Sequence, residues 1–284
     1  MIKKILYIFI LLFTSITYSQ LSKTHYIPPL THAAEGNANA VDQWIYISTP
    51  STSSVNVSIL PVGGTAQTIT VQNDQPQKVQ VSTNGYSQLY VEANTTSQVM
   101  NNKGYIIDAD KPIYVSVRVN AGGVEGSDDS SAQAGALVTK GLDGLGRIFR
   151  VGTFNSQSNS ANFNNYLNFL SVMATEDNTT VNFTNNYTSG FVIENYSGQF
   201  PVNNIQLNRG ESYVIALELK DTSTATTQDA VTRNRDGLIG TLIQSDKDIV
   251  VNSGSSNGSF HVGGARDYGI DQIVDLSRVG KEYI

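Results

Sequence analysis

The same succession of short strand-like blocks occurs twice along this 284-residue chain, and that duplication constrains its fold more than any other feature. Gly104-Tyr-Ile-Ile-Asp-Ala-Asp110-Lys-Pro-Ile113 returns as Gly240-Thr-Leu-Ile-Gln-Ser-Asp246-Lys-Asp-Ile249, an offset of 136 residues. At the same offset Ile69-Thr-Val71 meets Ile205-Gln-Leu207, and Val79-Gln-Val81 meets Ile215-Ala-Leu217. Upstream, Ser48-Thr49 through Val55-Asn-Val57 matches Ala174-Thr175 through Val181-Asn-Phe183 at an offset of 126, which implies a ten-residue insertion. Near the unit ends, Gly146-Arg-Ile-Phe149 resembles Gly280-Lys-Glu-Tyr283. Five blocks in one order predict two tandem copies of a single unit, meeting near residue 150.

Inside the blocks, apolar residues recur at every second position, as in Val55-Asn-Val-Ser-Ile59, Thr68-Ile-Thr-Val71, Lys78-Val-Gln-Val81 and Ile113-Tyr-Val-Ser-Val-Arg-Val119. That is the period of a strand with one wet face, and the residues are the β-branched and aromatic types that strands favour. Turn-forming clusters separate them: Pro61-Val-Gly-Gly64, Asn73-Asp-Gln-Pro76, Asn84-Gly85 and Asn208-Arg-Gly210. Thr175-Glu-Asp-Asn-Thr-Thr180 reads as a hairpin connection. The polar residues around Asp110-Lys-Pro112 read as a turn between two strands, with Pro112 at a strand's beginning. The expected fold is therefore all-β: two tandem antiparallel β-sandwich units of similar topology, 20–150 and 151–284, with about six or seven strands each.

Residues 1–19 have the layout of a secretory signal peptide: Lys3-Lys4, an apolar run from Ile5 to Ile16, then small residues at Thr17 and Ser19. Twelve apolar residues span about 18 Å as a helix, short of the roughly 30 Å of a bilayer core. The mature chain is expected to be exported, with no transmembrane segment. It carries 16 basic against 24 acidic residues and no basic cluster, which argues against a nucleic-acid partner. With no cysteine, it has neither disulfides, thiolate metal sites nor a cysteine nucleophile.

Candidate chemistry is thin. Gly254-Ser-Ser256-Asn-Gly258 matches the letters of a hydrolase nucleophile elbow, but no helix-like segment follows it, and His261 precedes Asp267. His25, His32 and His261 are too scattered to read as a metal trio, and Asp108, Asp110, Asp128 and Asp129 lack the spacing of a calcium loop. No catalytic, cofactor or metal residue is assigned; calcium is the one cofactor kept open. The Asn- and Tyr-rich stretches Asn159–Asn168 and Asn185–Tyr196, with Gly263–Tyr268, are the candidates for a recognition surface, since Tyr and Asn serve adaptable contacts and rings stack on sugar faces.

Asn102-Lys-Gly104 with Asp110-Lys-Pro-Ile113, Ala174-Thr-Glu-Asp-Asn-Thr-Thr-Val181, Leu207-Asn-Arg-Gly-Glu-Ser-Tyr213 and Val279-Gly-Lys-Glu-Tyr-Ile284 together resemble the IgGFc-binding protein amino-terminal domain family, over most of residues 21–284. The opening Leu21-Ser-Lys-Thr-His-Tyr-Ile-Pro-Pro-Leu30 is similar to the start of large surface proteins of gliding Bacteroidetes that leave by the type IX secretion route. The resemblance implies a secreted or surface-displayed β-rich module and no known active site. Two departures from it stand out: the cysteines of the animal members' later regions and a carboxy-terminal secretion signal are both missing. The expected function is a non-catalytic adhesion or recognition module, the amino-terminal part of a larger surface protein. Its expected partners are an extracellular polymer, a glycan or neighbouring domains. The alternative is a glycan-binding or glycan-active domain.

Overall fold

A computed structural model describes residues 20–32, 40–121, 133–152, 168–185, 191–198, 200–217, 237–258 and 267–279. The expected signal peptide and the Gly280–Tyr283 block lie outside them. The described chain is almost entirely β, with three short 3₁₀ turns. In the first half, strands β1 (Ser22–Ile27), β2 (Leu30–His32), β3 (Asp42–Ser48), β4 (Val55–Pro61) and β5 (Gln67–Val71) are followed by β6 (Gln77–Ser82), β7 (Tyr90–Glu92), β8 (Val99–Met100), β9 (Tyr105–Ala121) and β10 (Gln133–Val138). The second half holds β11 (Gly146–Arg150), β12 (Asn168–Ala174), β13 (Thr179–Thr184) and β14 (Val202–Leu207), then β15 (Ser212–Ala216), β16 (Leu242–Gly258) and β17 (Asp267–Ile273).

The duplication is visible in the strand order. One antiparallel sheet runs β5-β4-β9-β3-β6, with β1 and β10 also on β9; the other runs β14-β13-β16-β12-β15, with β11 and β17 also on β16. Each 17-residue central strand serves four neighbours. The first part of β9 pairs with β1 and β4, its second part with β3 and β10. β16 does the same with β11 and β13, then with β12 and β17. One long strand shared by two layers lets each sheet curl over its own core. Ile45, Val57, Ile107 and Val117 are buried together in the first, and Leu170, Val181, Ile243 and Val251 in the second.

The hand-over between layers falls at the Asp-Lys-Pro and Asp-Lys-Asp blocks. Pairing with β4 stops at Ala109 and pairing with β3 begins at Tyr114; pairing with β13 stops at Ser245 and pairing with β12 begins at Ile249. The turn expected there is thus a change of partner within one continuous strand. Pro112 fits because a residue between two ladders owes its N–H to neither. Side chains brace both crossings alike. Thr49 Oγ1 donates to the Pro112 carbonyl at 2.8 Å, as Thr175 Oγ1 does to that of Asp248 at 2.6 Å. The carboxylates of Asp110 and Asp246 accept the backbone N–H of Asn56 and Thr180.

β11 corrects one element of the sequence reading. Gly146 pairs with Ile249 as Ser22 pairs with Ile113, and both ladders shift register at the next residue. Gly146–Arg150 is therefore the counterpart of β1 and lies in the second sheet, which opens before residue 150 instead of after it. The second copy's insertion lies between β13 and β14, where 17 residues stand against five between β4 and β5.

The halves share a packed seam. Phe169, Ala216 and Tyr268 are buried in the first core, while Met173 and Val250 pack with Tyr26, Val62 and Ile106. β8 extends the second sheet at the edge of β15. The Gln272 amide donates to the Tyr26 carbonyl at 3.0 Å and accepts from the Lys140 N–H at 2.7 Å. Tyr268 meets Tyr90 edge to face, 6.2 Å between centroids, and burial raises the pKa of both phenols. Beside β11, Asp275 accepts the N–H groups of Arg147, Ile148 and Ser277 at 2.7–2.8 Å. Burial pushes this carboxyl up, but the Ser277, Ile148 and Arg147 hydrogen bonds outweigh it and hold it at about 2.

Candidate functional site

Strand β3 reads Asp42-Gln-Trp-Ile-Tyr-Ile-Ser48. Alternation sends Ile45 and Ile47 into the core and turns Trp44 and Tyr46 to the outer face, where both are half-buried. Across the ladders Trp44 lies between Arg118 of β9 and Gln80 of β6, and Tyr46 between Ser116 and Lys78. The cations reach diagonally. Lys78 Nζ stands 4.4 Å over the Trp44 ring and the Arg118 guanidinium 4.3 Å over Tyr46, with the two rings 6.4 Å apart. Exposed contacts of this kind contribute about 0.5–1 kcal/mol each, so their main effect is to hold the rings in place. Asp42 Oδ1 adds to this by accepting from Trp44 Nε1 and Gln80 Nε2, both at 2.8 Å.

Beside the rings, β10 contributes only small side chains at Ala134 and Ala136, opposite Asn120 and Arg118. The height difference opens a hollow of about 560 Å³ on the sheet surface. A second hollow of about 300 Å³ follows along β9, bordered by Tyr114, Gln77 and Val138. Tyr46 and Arg118 border both. Among the described residues, the Arg118 guanidinium has neither a hydrogen-bond acceptor nor a carboxylate partner.

The corresponding face of the second half is closed. Ile45 pairs with Val79 and Val117 as Leu170 pairs with Ile215 and Ser253, so Phe169 and Ser171 stand where Trp44 and Tyr46 do. Both are fully buried, and Phe169 packs into the first core. The same sheet surface thus serves as the internal seam in one copy and is open and ring-lined in the other.

The residues singled out by sequence are placed elsewhere. His25 is buried, its Nδ1 2.6 Å from Thr139 Oγ1 and its Nε2 3.0 Å from the Ile113 carbonyl; burial lowers its pKa. His32 ends β2 beside Glu92, and His261 lies outside the described residues. Among the described residues no three His, Asp or Glu side chains converge. Asp108 accepts from Thr24 and Asp110 from Asn56; Asp128 and Asp129 lie outside. Ser256 is buried within the continuous strand β16, so the Gly-x-Ser-x-Gly letters do not form a strand-to-helix elbow.

Of the recognition candidates, residues 159–167, 186–190 and 263–266 lie outside the described residues. Asn195 and Tyr268 belong to the seam: Asn195 Nδ2 donates to the Thr96 carbonyl at 2.8 Å, and Tyr268 is 4% exposed instead of lying on an open loop. The ring-lined face itself escaped the sequence reading. Its signal was present in the chain's single tryptophan and a tyrosine alternating with two isoleucines.

These features define a duplicated, all-β protein with one open aromatic and cationic sheet face. The chain matches the family described as IgGFc binding protein over residues 134–284, more than half its length, and belongs to that family. The match takes in β10 and the whole second half, a shorter span than the sequence blocks had indicated. A comparison with curated proteins found no match. Among the described residues no helix is long and apolar enough to cross a membrane.

Proposed function

We propose that the chain is a non-catalytic recognition module, the exported amino-terminal part of a larger surface protein, and that it adheres to extracellular material through the outer face of β3 and β9. Membership of the IgGFc-binding family supports an extracellular, β-rich setting, and the signal-peptide layout of residues 1–19 supports export. The similarity of Leu21–Leu30 to gliding-bacterium surface proteins supports the type IX context. The observation that carries the reading is the groove bounded by Trp44, Tyr46 and Arg118, which is open where its counterpart in the second half is covered. Rings braced by cations and a carboxylate on a rigid sheet lose little freedom on binding, which is how aromatic side chains generate affinity. Rings half-open to solvent favour a glycan, since sugar faces offer C–H surfaces to stack on.

The test is retention of the mature chain on a panel of immobilised extracellular polysaccharides and proteins. At least one polymer should retain the wild type, and Trp44→Ala should weaken that binding at least about tenfold, roughly 1.4 kcal/mol. Equal retention of wild type and variant, or no retention on any polymer, overturns the proposal.

A further inference from the structure

We infer that the open face of the first sheet takes an acidic polysaccharide, with the carboxylate of a uronate residue on Arg118 and the adjoining sugar rings along Trp44 and Tyr46. This rests on the recognition reading above and adds the charge and the polymeric nature of the ligand. A guanidinium stacked on a ring presents its N–H edge outward, and its planar fork matches a carboxylate in two parallel hydrogen bonds. The Arg118 guanidinium stands 4.3 Å over the Tyr46 ring, it is exposed, and nothing among the described residues satisfies its donors. Lys78 brings a second cation to the same face, in a mature chain whose acidic residues outnumber its basic ones by 24 to 16. Of the nearby carboxylates, Asp42 is 2% exposed and already accepts from Trp44 and Gln80, and Asp267, at the β10 side of the first hollow, accepts the Ala134 N–H at 3.2 Å. The exposed charge standing between the two hollows is therefore the Arg118 guanidinium, and its fork selects a carboxylate-bearing ligand over neutral polymers.

A polymer follows from the two hollows. They lie on either side of the Tyr46–Arg118 stack and both are bordered by it, so successive sugars of one chain occupy them in turn. A second copy of this protein fits the face less well. Where the fold does cover the equivalent surface with protein, the positions of Trp44, Tyr46, Arg118 and Lys78 are held by Phe169, Ser171, Gly254 and Val214, with no charge among them. Replacement of that set by two rings and two cations marks a surface built for a polar, anionic partner.

The experiment compares binding of the mature chain to oligogalacturonate, to its fully methyl-esterified form, which has the same backbone without the charge, and to a sulfated dextran. The wild type should bind oligogalacturonate at least tenfold more tightly than the ester, and that preference should fall steeply with added salt. Arg118→Gln should remove the preference while leaving the circular dichroism unchanged. Arg118→Lys, which keeps the charge and loses the fork, should recover only part of it. Trp44→Ala should weaken binding to both sugars. Equal binding of acid and ester that is still lost in Trp44→Ala overturns the acidic ligand and leaves the recognition reading standing. A preference for the sulfated polymer overturns the uronate assignment. Absence of binding to all three overturns the acidic ligand and leaves the recognition reading to the polymer panel, whereas binding indifferent to Trp44 overturns both readings, and so does a dimer that dissociates on Trp44→Ala.

Discussion

Phe169→Ala is expected to lower the unfolding free energy by about 3–5 kcal/mol and to shift a single melting transition that both halves share. Phe169 is fully buried, so its removal leaves a cavity as well as losing the transfer energy of the ring. What makes the effect unusual is where the ring goes. It grows from β12, a strand of the second sheet, yet it packs into the core of the first. Around it Met173 meets Tyr26 and Ile106, and Tyr268 meets Tyr90. A cavity here loosens both cores at once. Calorimetry of the variant should show one transition at lower temperature. Two separated transitions, or a loss below about 1 kcal/mol, would show that the seam is peripheral.

The second large effect is electrostatic. Asp275→Asn should destabilise the chain by about 2 kcal/mol at neutral pH, because the charged acceptor of three backbone N–H groups is lost. The folded-state pKa of about 2 lies below the ordinary carboxylate value near 3.9. A depressed folded pKa contributes stability that is complete above the unfolded value and is lost as pH falls through the folded one. The gap between wild type and variant should therefore be constant above about pH 5, shrink from pH 4 downward and close near pH 2. Urea unfolding at several pH values measures it. A gap independent of pH would assign the loss to packing instead of charge. Gly146 adds a geometric constraint at the same place, since a Cβ there would lie 2.3 Å from Asp275 Cβ.

The fold was largely legible because its signals are local. Alternation in Val55–Ile59, Thr68–Val71 and Lys78–Val81 identified β4, β5 and β6, and the offsets of 126 residues for β4 and 136 for β5 and β6 identified their counterparts in the second half. What the sequence hid depends on long-range pairing. The Asp110-Lys-Pro112 stretch carries turn chemistry, yet β1, β3 and β4 hold it within one strand. Gly146–Arg150 sits in the sequence where the first copy should end, and only its ladder with β16 reveals it as an opening strand. The candidate site was hidden for a different reason. Outward residues of a strand carry no periodic signal beyond polarity, and Trp44 and Tyr46 break that polarity in a way that is meaningful only once Lys78, Arg118 and the small residues of β10 are seen beside them. Asn- and Tyr-rich segments drew attention by composition, but Asn195 and Tyr268 turn out to fasten the halves together.

The chain holds a single tryptophan, Trp44, so its fluorescence reports on the proposed binding face with no other indole in the background. Titrating the mature chain with oligogalacturonate should give a saturable change in Trp44 emission, with the same midpoint as binding measured by calorimetry. Saturable binding by calorimetry with emission unchanged throughout would place the ligand elsewhere and contradict the account.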